Sequence, residues 1–333
     1  IKRYCTVMQV KVLRAVAPHL ALLGLTIGAF GCSQETATNT PSSPDAVATP
    51  AANTTQSAGN AIKVAFPSRS DSTDLQNKAN AVAAYLSKEI GSPVEAVVGD
   101  DSAAVEALRA NQADVAFLSS RPALKAEQLA GANLYLAEVR PTYSGKQTYN
   151  SVFVVPKDSP LQSKGSAKET LQQLKGKKMA FTSPTSGSGF IFPVSELVKQ
   201  GFVPNRDKLD GFFGQVSYGG NYSKALQAVL RGQAEVAAVS EYALQPPYIT
   251  AEEGKKLRVL HAIPNVPAHG IAIDDDVPAS KRDKIVNALL KLNQKENNKL
   301  LSGLYNSTEL VKVDHKSHLQ GMREALKTVG IDP

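Results

Sequence analysis

Chemistry is concentrated in one stretch of this sequence, Phe181-Thr182-Ser183-Pro184-Thr185-Ser186-Gly187-Ser188-Gly189-Phe190-Ile191-Phe192-Pro193, where five hydroxyl side chains and two glycines cluster. Hydroxyl donors beside the first N–H groups of a helix, at the positive end of its dipole, can hold an anion. Gly187 and Gly189 are expected to bring the backbone close to such a ligand through positive φ. The competing reading is an ordinary strand-to-helix turn with a serine N-cap. The stretch has neither the lysine of a Walker loop nor the spacing of a dinucleotide fingerprint. Ser186 also stands where a G-x-S-x-G nucleophile elbow needs its first glycine. Binding, not turnover, is the expected chemistry, and a hydrolase using Ser186 or Ser188 would need a His–Asp pair that the sequence does not mark out.

For the stretch to act in this way, a strand must precede it and a helix must follow. Residues 177–181 read as a short strand, and 192–200 place apolar residues at helical spacing. The same alternation begins at 61–66, a strand ended by Pro67, followed by a polar 68–72 loop and a helix over 74–90 capped by Gly91. Residues 94–98 form the next strand. Repeated strand and helix argue for an α/β chain with largely parallel sheets.

An internal echo sharpens this. Residues 105–119, VEALRANQADVAFLS, match residues 226–240, LQAVLRGQAEVAAVS, at a constant offset of 121. Each copy reads as a helix, a tight turn and an apolar strand ending in serine. The spacing is too long for a solenoid repeat and fits two lobes of similar build. Ligands of open α/β sheets sit off the carboxyl ends of strands, so Ser119-Ser120-Arg121 and Ser240-Glu241-Tyr242 are candidates to face one cleft. A third helix start, 216–222, carries glycines and hydroxyls before a helix over 223–231. Asn221 or Ser223 would cap it, and Tyr222 is expected either at the cleft or in the core.

The front of the chain reads differently. Residues 1–31 hold Lys11, Arg14 and an interrupted apolar run but no acidic residue, which fits a secretory leader better than a membrane span. Met8 is a reasonable start for it. Cys32 follows Ala29-Phe30-Gly31 in a setting similar to the lipobox of bacterial lipoproteins, which makes Cys32 the expected lipidation site. Residues 32–60 are then a disordered tether of Ala, Thr, Ser, Asn and Pro. Cys5 leaves with the leader, so no internal disulfide is expected despite export. The formal charge of +7 falls by four when Lys2, Arg3, Lys11 and Arg14 go. With scattered basic residues and no Trp, there is no nucleic-acid footprint.

Residues 61–330 resemble the solute-binding proteins of phosphate, phosphite and phosphonate ABC importers. Ser186-Gly187-Ser188-Gly189-Phe190-Ile191-Phe192-Pro193 is similar to that family's Ser-Thr-Ser-Gly-x-x-x-Pro motif, with Gly187 replacing Thr. Tyr149-Asn150-Ser151 is similar to its Tyr-x-Ser segment between lobes, and Gly176-Lys177-Lys178 to its lead-in. The resemblance implies a two-lobed type II periplasmic-binding-protein fold with two crossover hinges and a ligand clamped by closure. It implies lobe 1 over 61–148, lobe 2 over 149–264 and a return to lobe 1 over 265–333. Ser186, Gly187, Ser188 and Gly189 would donate to the anion, with Ser68, Ser119, Tyr149, Tyr222 and Ser240 completing the cleft; neutral donors can suffice for this.

The family's histidine is replaced by Tyr222, its aspartate by Ser240-Glu241, and a tyrosine after the second strand by Gly99-Asp100-Asp101. The expected partners are a small anionic solute of the phosphonate, phosphite or phosphate class, an inner-membrane ABC permease, and the membrane through lipid. No cofactor and no metal is expected. An exported sensory domain for another anion, such as a sulfonate, is the alternative. Three further features read as structural: His315 and His318 as solvated surface residues, Asp274-Asp275-Asp276 as a turn, and 281–301 as one amphipathic covering helix. His269 opens a strand after the return crossover at 263–267.

Overall fold

The computed structural model describes residues 61–69 and 73–333; the leader, Cys32 and the tether lie outside them. The chain opens with β1 (Ile62–Pro67), α1 (Leu75–Ile90), β2 (Val94–Gly99), α2 (Asp101–Arg109), β3 (Val115–Leu118), α3 (Ser120–Ala130) and β4 (Asn133–Val139). It continues through β5 (Thr148–Pro156), α4 (Ala167–Gln172), β6 (Lys178–Phe181), α5 (Phe192–Lys199), β7 (Gln215–Tyr218), α6 (Tyr222–Leu230), β8 (Val236–Ser240), α7 (Ala251–Gly254) and β9 (Leu257–Pro267). It ends with β10 (Gly270–Ile273), α8 (Ala279–Leu290), α9 (Asn298–Tyr305), β11 (Glu309–Lys312) and α10 (His315–Val329).

The strands form two sheets. One runs β11-β4-β10-β3-β1-β2 and the other β7-β6-β8-β5-β9. The chain therefore leaves the first sheet after β4, builds the second from β5 to β9, and returns at β10. Within each sheet the strands of the strand–helix–strand units are parallel, as β1 is to β2 and β3, and β6 is to β7 and β8. The strands nearest the crossings are antiparallel: β10 against β3 and β4, and β5 against β8 and β9. A strand that enters a sheet directly from the other lobe has no crossover helix to bring it round, so it runs opposite to its neighbours.

Local chemistry explains the helix ends that matter. Asp100 caps α2 by accepting the Ala103 N–H at 2.7 Å, and Asn221 caps α6 by accepting the Lys224 N–H at 2.9 Å. Gly91 ends α1 in the left-handed region with φ 74. The echo holds at the level of elements, since α2 and β3 recur 121 residues later as α6 and β8. The expected helix over 281–301 is instead two. It breaks at a 3₁₀ turn, Lys291–Asn293, where the Asn297 and Asn298 amides bond the carbonyls of Lys291 and Leu292 and so satisfy the freed helix end.

Each sheet has its own apolar packing. Ile62, Phe66, Phe117 and Ile271 pack with Leu289, Leu301 and Tyr305 on one face of the first sheet. Val152, Val154, Ala237 and Val239 pack with Leu226 and Ile249 on one face of the second. A larger cluster joins residues of both, from Leu118 and Leu134 through Tyr149 and Phe153 to Phe181 and Met322. None of the described helices is long and apolar enough to cross a membrane.

Candidate functional site

The hydroxyl-rich loop follows β6 and folds into a one-turn π-helix, Gly187–Ile191, that runs straight into α5. Ser186 is its N-cap, and its Oγ accepts the Gly189 N–H at 3.1 Å. The Thr182 N–H donates to the Gly189 carbonyl at 3.2 Å and the Gly220 N–H to the Thr182 carbonyl at 2.6 Å, which ties this loop to the glycine loop before α6. Ser188 is fully buried; its Oγ lies 2.7 Å from the Tyr222 hydroxyl, and its carbonyl accepts the Ser151 Oγ at 2.6 Å.

Opposite stands a charged wall. Arg69, just past β1, makes a two-pronged pair with Glu138 at 2.8 and 2.9 Å while its guanidinium lies 3.8 Å from the Tyr305 ring centre. Glu138 is wholly buried and also accepts the Ser307 Oγ at 2.7 Å. Burial alone would raise its carboxyl pKa, but the Arg69 and Arg140 guanidiniums outweigh burial and hold it below the usual range. Arg140, 5% exposed, sits 5.3 Å from the Tyr242 ring centre. Arg121, on the first turn of α3, has its pKa lowered by burial and by the like charge of Arg206. Asp101, the first residue of α2, accepts the Ser119 Oγ at 2.9 Å through Oδ2.

Between the walls lies a cleft of about 320 Å3. That volume suits a small solute. The first wall supplies Arg69, Asp101, Ser119, Arg121 and Arg140; the second supplies Thr182, Ser183, Thr185, Ser186, Gly187, Gly220, Asn221 and Tyr222. Tyr149, Tyr242, Tyr248, His269 and Met322 close it from the crossing side. The tyrosines form one aromatic cluster with Tyr143, at centroid separations from 5.1 to 5.9 Å. Burial pushes the Tyr143 hydroxyl up to about 12 and those of Tyr149 and Tyr242 well above their ordinary value. All three are therefore neutral donors at physiological pH. A second recess of about 360 Å3 adjoins the cleft and shares Asp101, Ser119, Arg121, Pro122 and Thr185 with it.

Of the residues expected from the sequence, Ser119, Tyr149, Ser186, Gly187 and Tyr222 come together in this lining. Four do not. Ser68 is exposed and off the cleft; its N–H is taken by the Gly99 carbonyl at 2.7 Å, and Arg69 projects inward instead. Ser188 lies one layer behind, holding Tyr222. Gly189 is a packing glycine, because a Cβ there would stand 2.2 Å from the Thr182 Oγ1. Ser240 is buried with its Oγ unpartnered among the described residues.

Other expectations also change. Neither Gly187 nor Gly189 has positive φ; the left-handed glycine of the lining is Gly220, at φ 86. Neutral donors are not the whole complement, since three guanidinium groups line the cleft. Glu241, in the place of the family aspartate, turns away to accept the N–H groups of Ser144 and Asn150 at 2.9 and 3.0 Å. His315 and His318 are packed rather than solvated: His315 accepts the Leu134 N–H at 2.8 Å, and the His318 Nε2 lies 2.9 Å from the Ala268 carbonyl. The sequence reading missed Arg69, Asp101 and Arg140. Asp101 had a usable signal, since it lies 121 residues before Tyr222 and occupies the same helix position.

The comparisons agree with this geometry. Phosphate-import protein PhnD of Mycolicibacterium smegmatis is 28% identical over 168 residues, which is 50% of this chain and only 50% of that relative's length. A crystal structure of a binding protein component of an ABC phosphonate transporter from Pseudomonas aeruginosa shares the fold at 20% identity and a TM-score of 0.62, covering 80% of this chain and 86% of that one. PhnD1 of Prochlorococcus marinus, solved in complex with methylphosphonate, does so at 20% identity and a TM-score of 0.63, covering 81% and 98%. A family model described as ABC transporter, phosphonate, periplasmic substrate-binding protein matches residues 64–319, and the chain belongs to that family.

Proposed function

We propose that this chain is the solute receptor of an ABC importer, capturing a small phosphorus oxyanion between its lobes and delivering it to the permease. One observation carries the reading: three arginines on one wall of the cleft face a hydroxyl- and N–H-rich helix start on the other. An anion between them gains charge from the first wall and fixed dipoles from the second. The names of the relatives point the same way, one being a phosphate-import protein and another a receptor solved with methylphosphonate.

In this reading Ser183, Ser186, Gly187 and Tyr222 contact the anion from one side, and Ser119, Arg121 and Arg140 from the other. Ser188 acts by holding the Tyr222 hydroxyl in place. Lobe 1 is 61–148 with the 265–333 return, and lobe 2 is 149–264; the division of the strands between the two sheets supports these boundaries. Closure occurs about the two crossings, where β5 and β9 run side by side. Export to the periplasm with a lipid on Cys32 completes the proposal. Binding rather than catalysis is supported by the loop hydroxyls, since Ser186 is engaged as an N-cap and Ser188 with Tyr222.

A thermal-shift panel of phosphate, phosphite, methylphosphonate, sulfate and methanesulfonate tests the reading. Binding to the native state raises the melting temperature by mass action, about 2.7 kcal/mol of stabilisation at a hundredfold excess over Kd. A rise with at least one phosphorus oxyanion is expected; no rise with any of them rejects it.

A further inference from the structure

Among the described residues, Asp101 is the one carboxylate in the cleft lining. Its Oδ2 accepts the Ser119 hydroxyl, while Oδ1 is buried with no hydrogen-bond partner among the described residues. An unpartnered buried acceptor is costly. A bare carboxylate beside an oxyanion would be costlier still, because two negative groups in contact cannot both stay ionised without penalty. A single proton between them removes both problems: a P–OH can donate to Oδ1, or a neutral Asp101 can donate to the anion.

Resting on the oxyanion reading above, we propose that Asp101 is a specificity residue that shares one proton with the bound anion. The receptor then accepts oxyanions that bring an ionisable proton and discriminates against those that cannot, such as sulfate. Burial raises the Asp101 pKa, with Arg69 and the Ser119 hydroxyl opposing and Asp100 adding, so the group takes up a proton more readily than an exposed aspartate. The other charged or titratable groups in the lining are Arg121, Arg140, His269 and the tyrosines. Arginine stays protonated throughout.

Comparing anions at one pH cancels whatever the protein's other groups contribute to both. Inorganic phosphate keeps a proton well into alkaline pH, whereas methylphosphonate loses its last one near neutrality. Above that point its affinity relative to phosphate is expected to fall about tenfold per pH unit, the value for uptake of one proton. Sulfate should bind on the order of ten-thousandfold more weakly than phosphate at neutral pH, the order seen when a site built for a hydroxyl meets a ligand without one. It should strengthen as the pH falls.

Calorimetric titration of the whole protein with phosphate, methylphosphonate and sulfate, with and without Asp101→Asn, reads these ratios. Asp101→Asn is expected to bring sulfate within about tenfold of phosphate. Should that variant fail to fold, the wild-type ratio of methylphosphonate to phosphate against pH decides alone. Equal affinity of phosphate and sulfate in the wild type, or a methylphosphonate-to-phosphate ratio independent of pH, overturns the role of Asp101 while leaving the receptor function standing. Silence with all three anions overturns both.

Discussion

The two walls of the cleft are built from the same backbone unit and carry opposite chemistry. On one side α2 and β3 follow a capped helix start with Asp101 first and Ser119 at the strand end; on the other, α6 and β8 repeat this with Tyr222 first and Ser240 at the end. The first wall is charged, lined by Arg69, Arg121, Arg140 and Asp101, with Glu138 buried and paired to Arg69. The second is neutral, made of Ser, Thr, Gly, Asn and Tyr. Ser119 is engaged by Asp101, whereas the Ser240 Oγ has no partner among the described residues. Repeating a fold unit therefore fixes where a side chain can face the ligand and leaves open what that side chain does. In the proposed function, attraction comes from the first wall and shape from the second, so the anion would be fully held only when both contact it.

The comparison can be broken at several places. The largest effect is expected for Glu138→Gln, which leaves Arg69 buried without its counter-charge; removing one partner of a buried pair costs about 3–5 kcal/mol, visible as a large fall in the denaturation midpoint. Arg140→Gln should weaken phosphate binding by about 10- to 150-fold, the range for a hydrogen bond to a charged group, with little change in fold. Tyr222→Phe removes the hydroxyl held by Ser188 and should cost about 1 kcal/mol of binding, or roughly fivefold. Ser240→Ala, which removes a buried hydroxyl with no partner among the described residues, should raise stability by about 1 kcal/mol, while binding stays intact.

Stability against pH separates the two carboxylates of the charged side. Folding lowers the Glu138 pKa from its ordinary 4.5, so its contribution is fully present above that value and is lost as the pH falls through the folded one. Folding raises the Asp101 pKa from 3.8, so its contribution is present below that value and is lost as the pH rises. Asp101→Asn is accordingly expected to stabilise the ligand-free protein at neutral pH by about 1 kcal/mol or less, read as a higher melting temperature. A drop instead would make Asp101 a structural carboxylate.

The neutral wall was legible in the sequence, and of the charged wall only the Ser119-Ser120-Arg121 segment was. Ser186 and Gly187 stand in a motif whose function depends on local order, and Tyr222 sits directly after a recognisable cap, so spacing alone located them. Arg69 and Arg140 are single cations in loops after strands, with no periodicity around them; only the three-dimensional pairing with Glu138, 69 residues from Arg69, brings them together. Ser68 and Gly189 fall outside the cleft lining for a related reason. A loop can present either of two adjacent residues, and a glycine can serve packing as readily as a ligand. The one long helix expected over 281–301 failed because amphipathic spacing continues across a break that side-chain amides stabilise.

The central claim is that both walls act on one oxyanion. Calorimetric titration of phosphate and methylphosphonate into the wild type, Arg140→Gln and Tyr222→Phe tests it most directly. The expected result is micromolar or tighter binding of at least one anion by the wild type, weakened by each variant and more by Arg140→Gln. No heat from either anion with the wild type, or wild-type affinity in both variants, would contradict it.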